Sequence, residues 1–310
     1  MDSRCSINIS IIGPGRVGTA IGVLAARAGL CVAAVAGRSR RRAKAAAARI
    51  GRRTQALSPA GAAAAGELVL LTVPDDAIAP LCGRLARAKA FRCGAVVAHC
   101  SGALSSEVLL PAVEACECRI GSMHPLQTFP TWQAAVKAMG GTCCFIEGDR
   151  LAVASLKRLA SAIGGVPVRI EPQAKALYHA AAVVACNDLV ALLDAAVAIG
   201  QAAGISQRRG LAALEPLVRA TVDNVFAMGP AKALTGPVAR GDVQTVRRHL
   251  TALRRAAPQL VRLYAALAEH AARLAVRKGT LSQPAATRLI AAVAPAGRSR
   301  PTKPKRKENP

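Results

Sequence analysis

Lys175 and His179 stand four residues apart in an apolar stretch that runs on to Asn187. On a helix at about 100° per residue the first two share a face, and Asn187 lies about 120° round from Lys175 with His179 between them. Such a stripe must either satisfy itself by internal hydrogen bonds or line a cleft, because an unpaired buried polar group is costly. In a cleft the two basic groups are proton donors, Lys175 as a cation and His179 as an imidazole. Three loops add polar groups that a packed core would not select: VPDDAI, with Val73, Pro74 and Asp75; HCSGALSS, with Ser101, Gly102 and Ser105; and SMHPLQTF, with His124, Gln127 and Thr128.

The elements that must position these groups begin near the amino terminus. Gly13, Gly15 and Gly18 complete G-x-G-x-x-G directly after an apolar run, Ile7 to Ile12, and directly before a helical pattern. In that setting the first glycine turns the chain, the second lets a pyrophosphate approach the backbone, and the third lets the helix pack closely. The helix N-terminus then faces the phosphates. Pro14, Arg16 and Val17 complete this dinucleotide site, with Val73 and Pro74 beside it. After the second apolar run, Leu30 to Ala36, an NAD enzyme places an acid for the ribose 2′-hydroxyl; this chain has Gly37, Arg38, Ser39 and three further arginines. Arg38, Arg40 and the Ser39 hydroxyl suit a 2′-phosphate, because guanidinium matches phosphate oxygens in pairs. NADP is therefore expected, with Arg41 and Arg42 read as a solvated helix start.

Apolar runs at Leu68 to Val73, AVVAHCSG, CCFIEGD and PVRI alternate with helical patterns, which specifies an α/β fold with a doubly wound parallel sheet. From Glu171 the strand pattern stops. Helices are predicted over Gln173 to Ala203, Gln207 to Met228, Val243 to Ala256 and Pro258 to Lys278, with a weaker one before the tail. The expected organisation is a Rossmann domain over 1–171, an all-α domain over 172–292 and a disordered basic tail over 293–310. Between two of these helices, NVFAMGPAKALTGPVARGD reads as either a capped helix-helix turn or a substrate contact.

The formal charge of +25 is spread along the chain rather than gathered in one stripe, which argues against a specific nucleic-acid partner. Only RSRPTKPKRK, Arg298 to Lys307, concentrates it. The most apolar segment, Ala176 to Ala203, carries His179, Asn187, Asp188 and Asp194, so a buried helix rather than a membrane span is expected. MDSRCSINIS lacks the pattern of a signal peptide. The ten cysteines include no C-x-x-C pair and read as reduced packing residues of a cytoplasmic protein, and neither they nor the five histidines have metal-ligand spacing.

The succession IIGPGRVGTAI, VAGRS, LTVPDDAI, HCSGALSS, GSMHPLQTF, KALYHAAAVVACNDLVALL and ALTGPVARGD resembles one family, over about Ile7 to Leu281. Its members are NADP-dependent oxidoreductases with a Rossmann-like N-terminal domain and a C-terminal helical domain of unknown function. They are similar to ketopantoate reductase and pyrroline-5-carboxylate reductase within the 6-phosphogluconate dehydrogenase superfamily. The resemblance implies a helical domain that packs across the cleft and forms a homodimer. Some of these dehydrogenases carry a Lys and, four residues later, an Asn on the first helix after the Rossmann domain. Lys175 fits that place, whereas His179 replaces the Asn, so either residue is the expected proton donor. Ser101 and Gly102 match the place where relatives bind a substrate carboxylate, and His124 matches HP loops that face substrate in prephenate dehydrogenases. The expected activity is hydride transfer from NADPH to a small ketopantoate-like oxo acid or imine, with Ser101, His124 and Asn187 orienting it. The alternative is a non-catalytic NADP-binding sensor or scaffold.

Overall fold

A computed structural model describes residues 7–294. The chain forms two compact units that divide between Asn187 and Asp188. The first is built on eight strands: β1 (Ile9–Ile12), β2 (Val32–Ala36), β3 (Gln55–Ala56), β4 (Leu68–Leu71), β5 (Val96–His99), β6 (Arg119–Pro125), β7 (Cys143–Gly148) and β8 (Val166–Arg169). They lie in the order β3-β2-β1-β4-β5-β6-β7-β8, with every pair parallel except β6 and β7. The chain reverses direction across the sheet between β1 and β4, and the loops that part there open a crevice at the carboxyl ends of these strands.

Seven helices cover the sheet: α1 (Arg16–Arg27), α2 (Arg40–Ile50), α3 (Pro59–Ala65), α4 (Asp75–Arg87), α5 (Leu110–Cys116), α6 (Trp132–Ala138) and α7 (Arg150–Ala162). Alternate strand residues feed two cores. Ile11, Leu70 and Ala98 pack with Ile21, Ile50 and Leu156 on one face, and Ile12, Leu71 and Val97 pack with Ile78, Leu81 and Leu109 on the other. Burial on both faces is why these strands read as unbroken apolar runs.

The residues SMHP, expected in a loop, belong to β6. It lies between β5 and β7 with Ile120, Met123 and Pro125 buried, so His124 stands on a strand, paired opposite Phe145. Tertiary pairing overrides a weak local pattern here, because Gly121, Ser122 and His124 are poor strand signals.

The long helix α8 (Lys175–Ala202) begins in the first unit and ends in the second. The units therefore divide inside a helix rather than near Glu171 and Pro172. The second unit continues with α9 (Gln207–Met228), α10 (Pro230–Ala233), α11 (Val243–Ala256), α12 (Val261–Lys278) and α13 (Gln283–Val293). Its core joins Val246, Leu250, Ala272 and Leu289. In the Gly-Pro-rich connection, Asp242 caps α11 by accepting from the Thr245 amide at 3.0 Å, as a helix-helix turn requires. The segment Pro172–Ala202 is long and apolar enough to cross a membrane, with mean hydropathy 2.0 over a window that is 11% buried. The basic run from Arg298 to Lys307 lies outside the described residues.

Candidate functional site

The glycine turn joins β1 to α1. Gly13 has φ +118°, and a Cβ there would stand 2.6 Å from the Thr72 carbonyl, so no other residue fits. A Cβ on Gly18 would collide with the Thr72 hydroxyl and with the Gly13 carbonyl. Thr72 itself donates from Oγ1 to the Gly13 carbonyl at 2.7 Å, which ties the turn to the end of β4. Gly15 differs: a Cβ there would meet only the Gly13 oxygen, at 4.0 Å. The middle glycine thus faces open space where the other two are packed, as a backbone that receives a pyrophosphate must. No side chain caps the N-terminus of α1, and no acid stands in its first turn. Its amides and dipole are available to an anion.

The residues around this turn divide by task. Pro14 packs under Gly37, whose added Cβ would lie 2.6 Å from the proline Cδ, so the position where an acid would read a ribose has no room for a side chain. Val17 packs against the sheet core, and Val73 and Pro74 lead from β4 into α4. Arg38 is exposed, while the Ser39 hydroxyl accepts from the Arg42 amide at 3.3 Å as the N-cap of α2. Arg16, Arg41 and Arg42 border a cavity of about 400 Å³ beside Gly15.

The next strand end is fixed by His99 and Ser101. Completely buried, the His99 imidazole faces the Ser105 carbonyl through Nε2 at 3.1 Å and accepts the Ser101 amide on Nδ1 at 3.1 Å. Burial lowers its pKa to about 4, against the pull of the Ser105 carbonyl. A neutral ring suits both contacts, since a second N–H would oppose the amide. The Ser101 hydroxyl donates to Asp75 Oδ2 at 2.7 Å and accepts from the amides of Ala103 at 3.2 Å and Leu104 at 3.0 Å. Its donor is already engaged by a carboxylate. The Ser101 hydroxyl thus ties its own loop to the start of α4.

Beneath this loop lies a buried ionic network. Lys175 donates from Nζ to the Ser101 carbonyl at 2.9 Å and to Ser122 Oγ at 2.5 Å, and it stands 3.8 Å from Glu147 Oε1. Glu147 on β7 accepts from Ser122 Oγ at 2.5 Å, from the Ser106 amide at 2.9 Å and from the Ser106 hydroxyl at 2.8 Å. Lys175 is 1% exposed and Glu147 2%. Burial lowers the lysine pKa, and the adjacent Glu147 opposes that shift. These bonds tie the start of α8 to β6 and to the loop that follows β5.

The groups that do reach open space sit just beyond Gly102. A side chain at this glycine would overlap His179 Nδ1 and lie 2.9 Å from the His124 ring, so its absence lets two imidazoles close over the loop. Their ring centroids are 5.6 Å apart and nearly perpendicular. His124 Nδ1 pairs with the Tyr178 hydroxyl at 2.9 Å, and Tyr178 leans on Phe145 with centroids 4.2 Å apart. Burial first, then the neighbouring His179 and Lys175, lower the His124 pKa to about 4. His179 Nδ1 is buried without a hydrogen-bond partner. Both histidines line a cavity of about 310 Å³ with Gln127, Thr128, Cys186 and Asn187. The polar stripe of α8 is thus split: Lys175 is in an internal network, whereas His179 and Asn187 face a cavity.

Sequence reasoning missed Glu147, Thr72 and Tyr178. Glu147 carried a signal, because a charge inside the apolar run CCFIEG demands a buried partner, and Lys175 is the cation set in an equally apolar stretch. Thr72 and Tyr178 carried none, since their partners are 59 and 54 residues away in sequence.

Two family models match the chain, and they meet within the first compact unit rather than at its end. Residues 2–125 match the Rossmann-like domain family, and residues 142–271 match the domain of unknown function DUF2520. The chain thus couples a Rossmann-like domain to a DUF2520 domain. Among solved structures it is similar to a Bacteroides fragilis protein named as a candidate NADP oxidoreductase, at 24% identity and TM-score 0.70 over 86% of this chain and 98% of the other. The protein TM1727 of Thermotoga maritima is 26% identical, with TM-score 0.68 over 87% of this chain and 99% of the other. An imine reductase from Pseudomonas sp. is 19% identical, with TM-score 0.62 over 93% and 100%. No curated protein sequence matches the chain.

Proposed function

We propose that the chain is an NADPH-dependent reductase of small imines or uncharged carbonyl compounds. The observation that carries this reading is the pair of imidazoles brought together by Gly102, one with an unpartnered buried nitrogen, beside the loop that Asp75 and Ser101 tie to the nucleotide turn. NADPH supplies hydride when bound; Gly13, Gly15, Gly18, Arg16, Val73 and Pro74 would hold it, with Arg38, Ser39, Arg41 and Arg42 at its 2′-phosphate. Among the expected substrates, an imine fits better than an oxo acid, because the Ser101 hydroxyl is already engaged by Asp75. His179 holds the proton that the reduced nitrogen or oxygen receives, and Asn187, Gln127 and Thr128 orient the substrate. His124, kept neutral by burial, steadies the adjacent ring through its bond to Tyr178. Lys175 is a positioning residue.

NADPH oxidation is expected with small cyclic imines and to be far slower with 2-oxo acids such as ketopantoate. A panel in which only the oxo acids are reduced would overturn the substrate class. Nucleotide binding without turnover on any member would favour a non-catalytic sensor. A cytoplasmic location fits the nine cysteines among the described residues, all of them free.

The chain is further proposed to work as a homodimer built on α8 and α9. Val190, Leu217 and Phe226 are 67%, 63% and 86% exposed, and a groove of about 710 Å³ between Leu193 and Val218 is lined mainly by aliphatic side chains, with Glu215, Arg219 and Asp223 among them. A second copy of these helices would cover this surface, since large exposed apolar patches mark contact sites. Sedimentation is expected to give a dimer that Leu217→Glu with Phe226→Glu converts to a monomer. A parent protein that sediments as a monomer, or that floats with lipid vesicles through this face, would overturn the assignment.

A further inference from the structure

Four guanidiniums border the cavity beside Gly15: Arg16 from the start of α1, and Arg41, Arg42 and Arg49 from α2. Arg41, Ala45 and Arg49 are spaced by four and share one face of that helix, with the small Ala45 leaving room between the two arginines. The facing wall is Trp132, the first residue of α6, and the Arg49 guanidinium lies 5.4 Å from the centroid of its ring. An aromatic face holds a cation in place without neutralising it. No Asp or Glu lines the cavity. Four positive charges around one space are matched by a polyanion. NADPH carries two charges on its pyrophosphate and, as a phosphate monoester near neutral pH, about two more on its 2′-phosphate.

We infer that Arg49, positioned by Trp132, is a further cation for the 2′-phosphate, so that the pair sets selectivity for NADPH over NADH beyond Arg38 and Ser39. The inference rests on the NADP reading proposed above. It places part of the discrimination on the third turn of α2 and on α6, away from the end of β2. Arg49 is exposed and makes no ion pair among the described residues, so removing it leaves the core untouched.

Calorimetric titration of the full chain with NADPH, NADH and 2′,5′-ADP tests it. Arg49→Ala is expected to raise the Kd for NADPH and for 2′,5′-ADP by about tenfold while leaving the Kd for NADH at the parental value. Trp132→Leu is expected to act in the same direction, and Trp132→Phe, which keeps an aromatic face, less. If Arg49→Ala preserves the parental ratio of NADPH to NADH affinity, or weakens both nucleotides equally, the inference is wrong while the NADP reading stands. A parent protein that binds none of the three removes the NADP reading and the inference together.

Discussion

Replacing Glu147 by alanine is expected to destabilise the protein by about 3–5 kcal/mol in urea unfolding, because it leaves the Lys175 ammonium buried without its carboxylate. The Ser122 hydroxyl and the Ser101 carbonyl accept from the lysine but do not neutralise it. Water cannot substitute, since both side chains are about 1% exposed. The paired replacement Glu147→Leu with Lys175→Met is expected to recover only part of the loss: it removes both charges and their desolvation penalty, but leaves the Ser106 amide and the Ser106 and Ser122 hydroxyls without the carboxylate they donate to. This pair of experiments also separates two roles for Lys175. If the double variant is stable and still reduces substrate, the lysine acts by holding α8 on the sheet. Should Glu147→Ala unfold within about 1 kcal/mol of the parent, well below the range for a broken buried pair, the network would not be the anchor described.

His179→Ala is expected to lower kcat by about 10²–10⁴-fold, the range for a lost general acid, with the Kd for NADPH unchanged. The ring stands in a cavity, its Nδ1 has no partner, and the glycine beside it exists in a form that admits it. His179→Gln, which keeps a hydrogen-bond donor but cannot titrate, is expected to retain the substrate KM better than the alanine while losing comparable kcat. Turnover near the parental rate in both variants would assign the proton to another group. Tyr178→Phe is expected to have a smaller effect, because Tyr178 works through His124.

Much of the fold was legible because its strands are buried on both faces. Runs such as Leu68 to Leu71 have no polar interruption to obscure them, and Gly13, Gly15 and Gly18 declare the turn between β1 and α1. The helices from Gln207 to Met228 and from Val243 to Ala256 coincide with their predicted ranges, since each follows a polar N-cap residue, Ser206 and Asp242, and keeps a helical period. β6 was not legible, because Gly121, Ser122 and His124 are chosen by what β7 and α8 place beside them. In the candidate site, residue type identified His124, His179 and Asn187 as facing a cavity. It could not tell that Lys175, one turn from His179, points into a closed network, because that depends on a glutamate 28 positions upstream, on strand β7. The same limit applies to Ser101, whose hydroxyl is claimed by Asp75.

Trp132 is the chain's one tryptophan, and it stands in the wall of the arginine cavity. The ultraviolet emission of the folded protein above the tyrosine range therefore originates at a single place. Its wavelength and intensity report the polarity of that wall and the nearness of the Arg49 guanidinium, without a label and without any knowledge of the substrate.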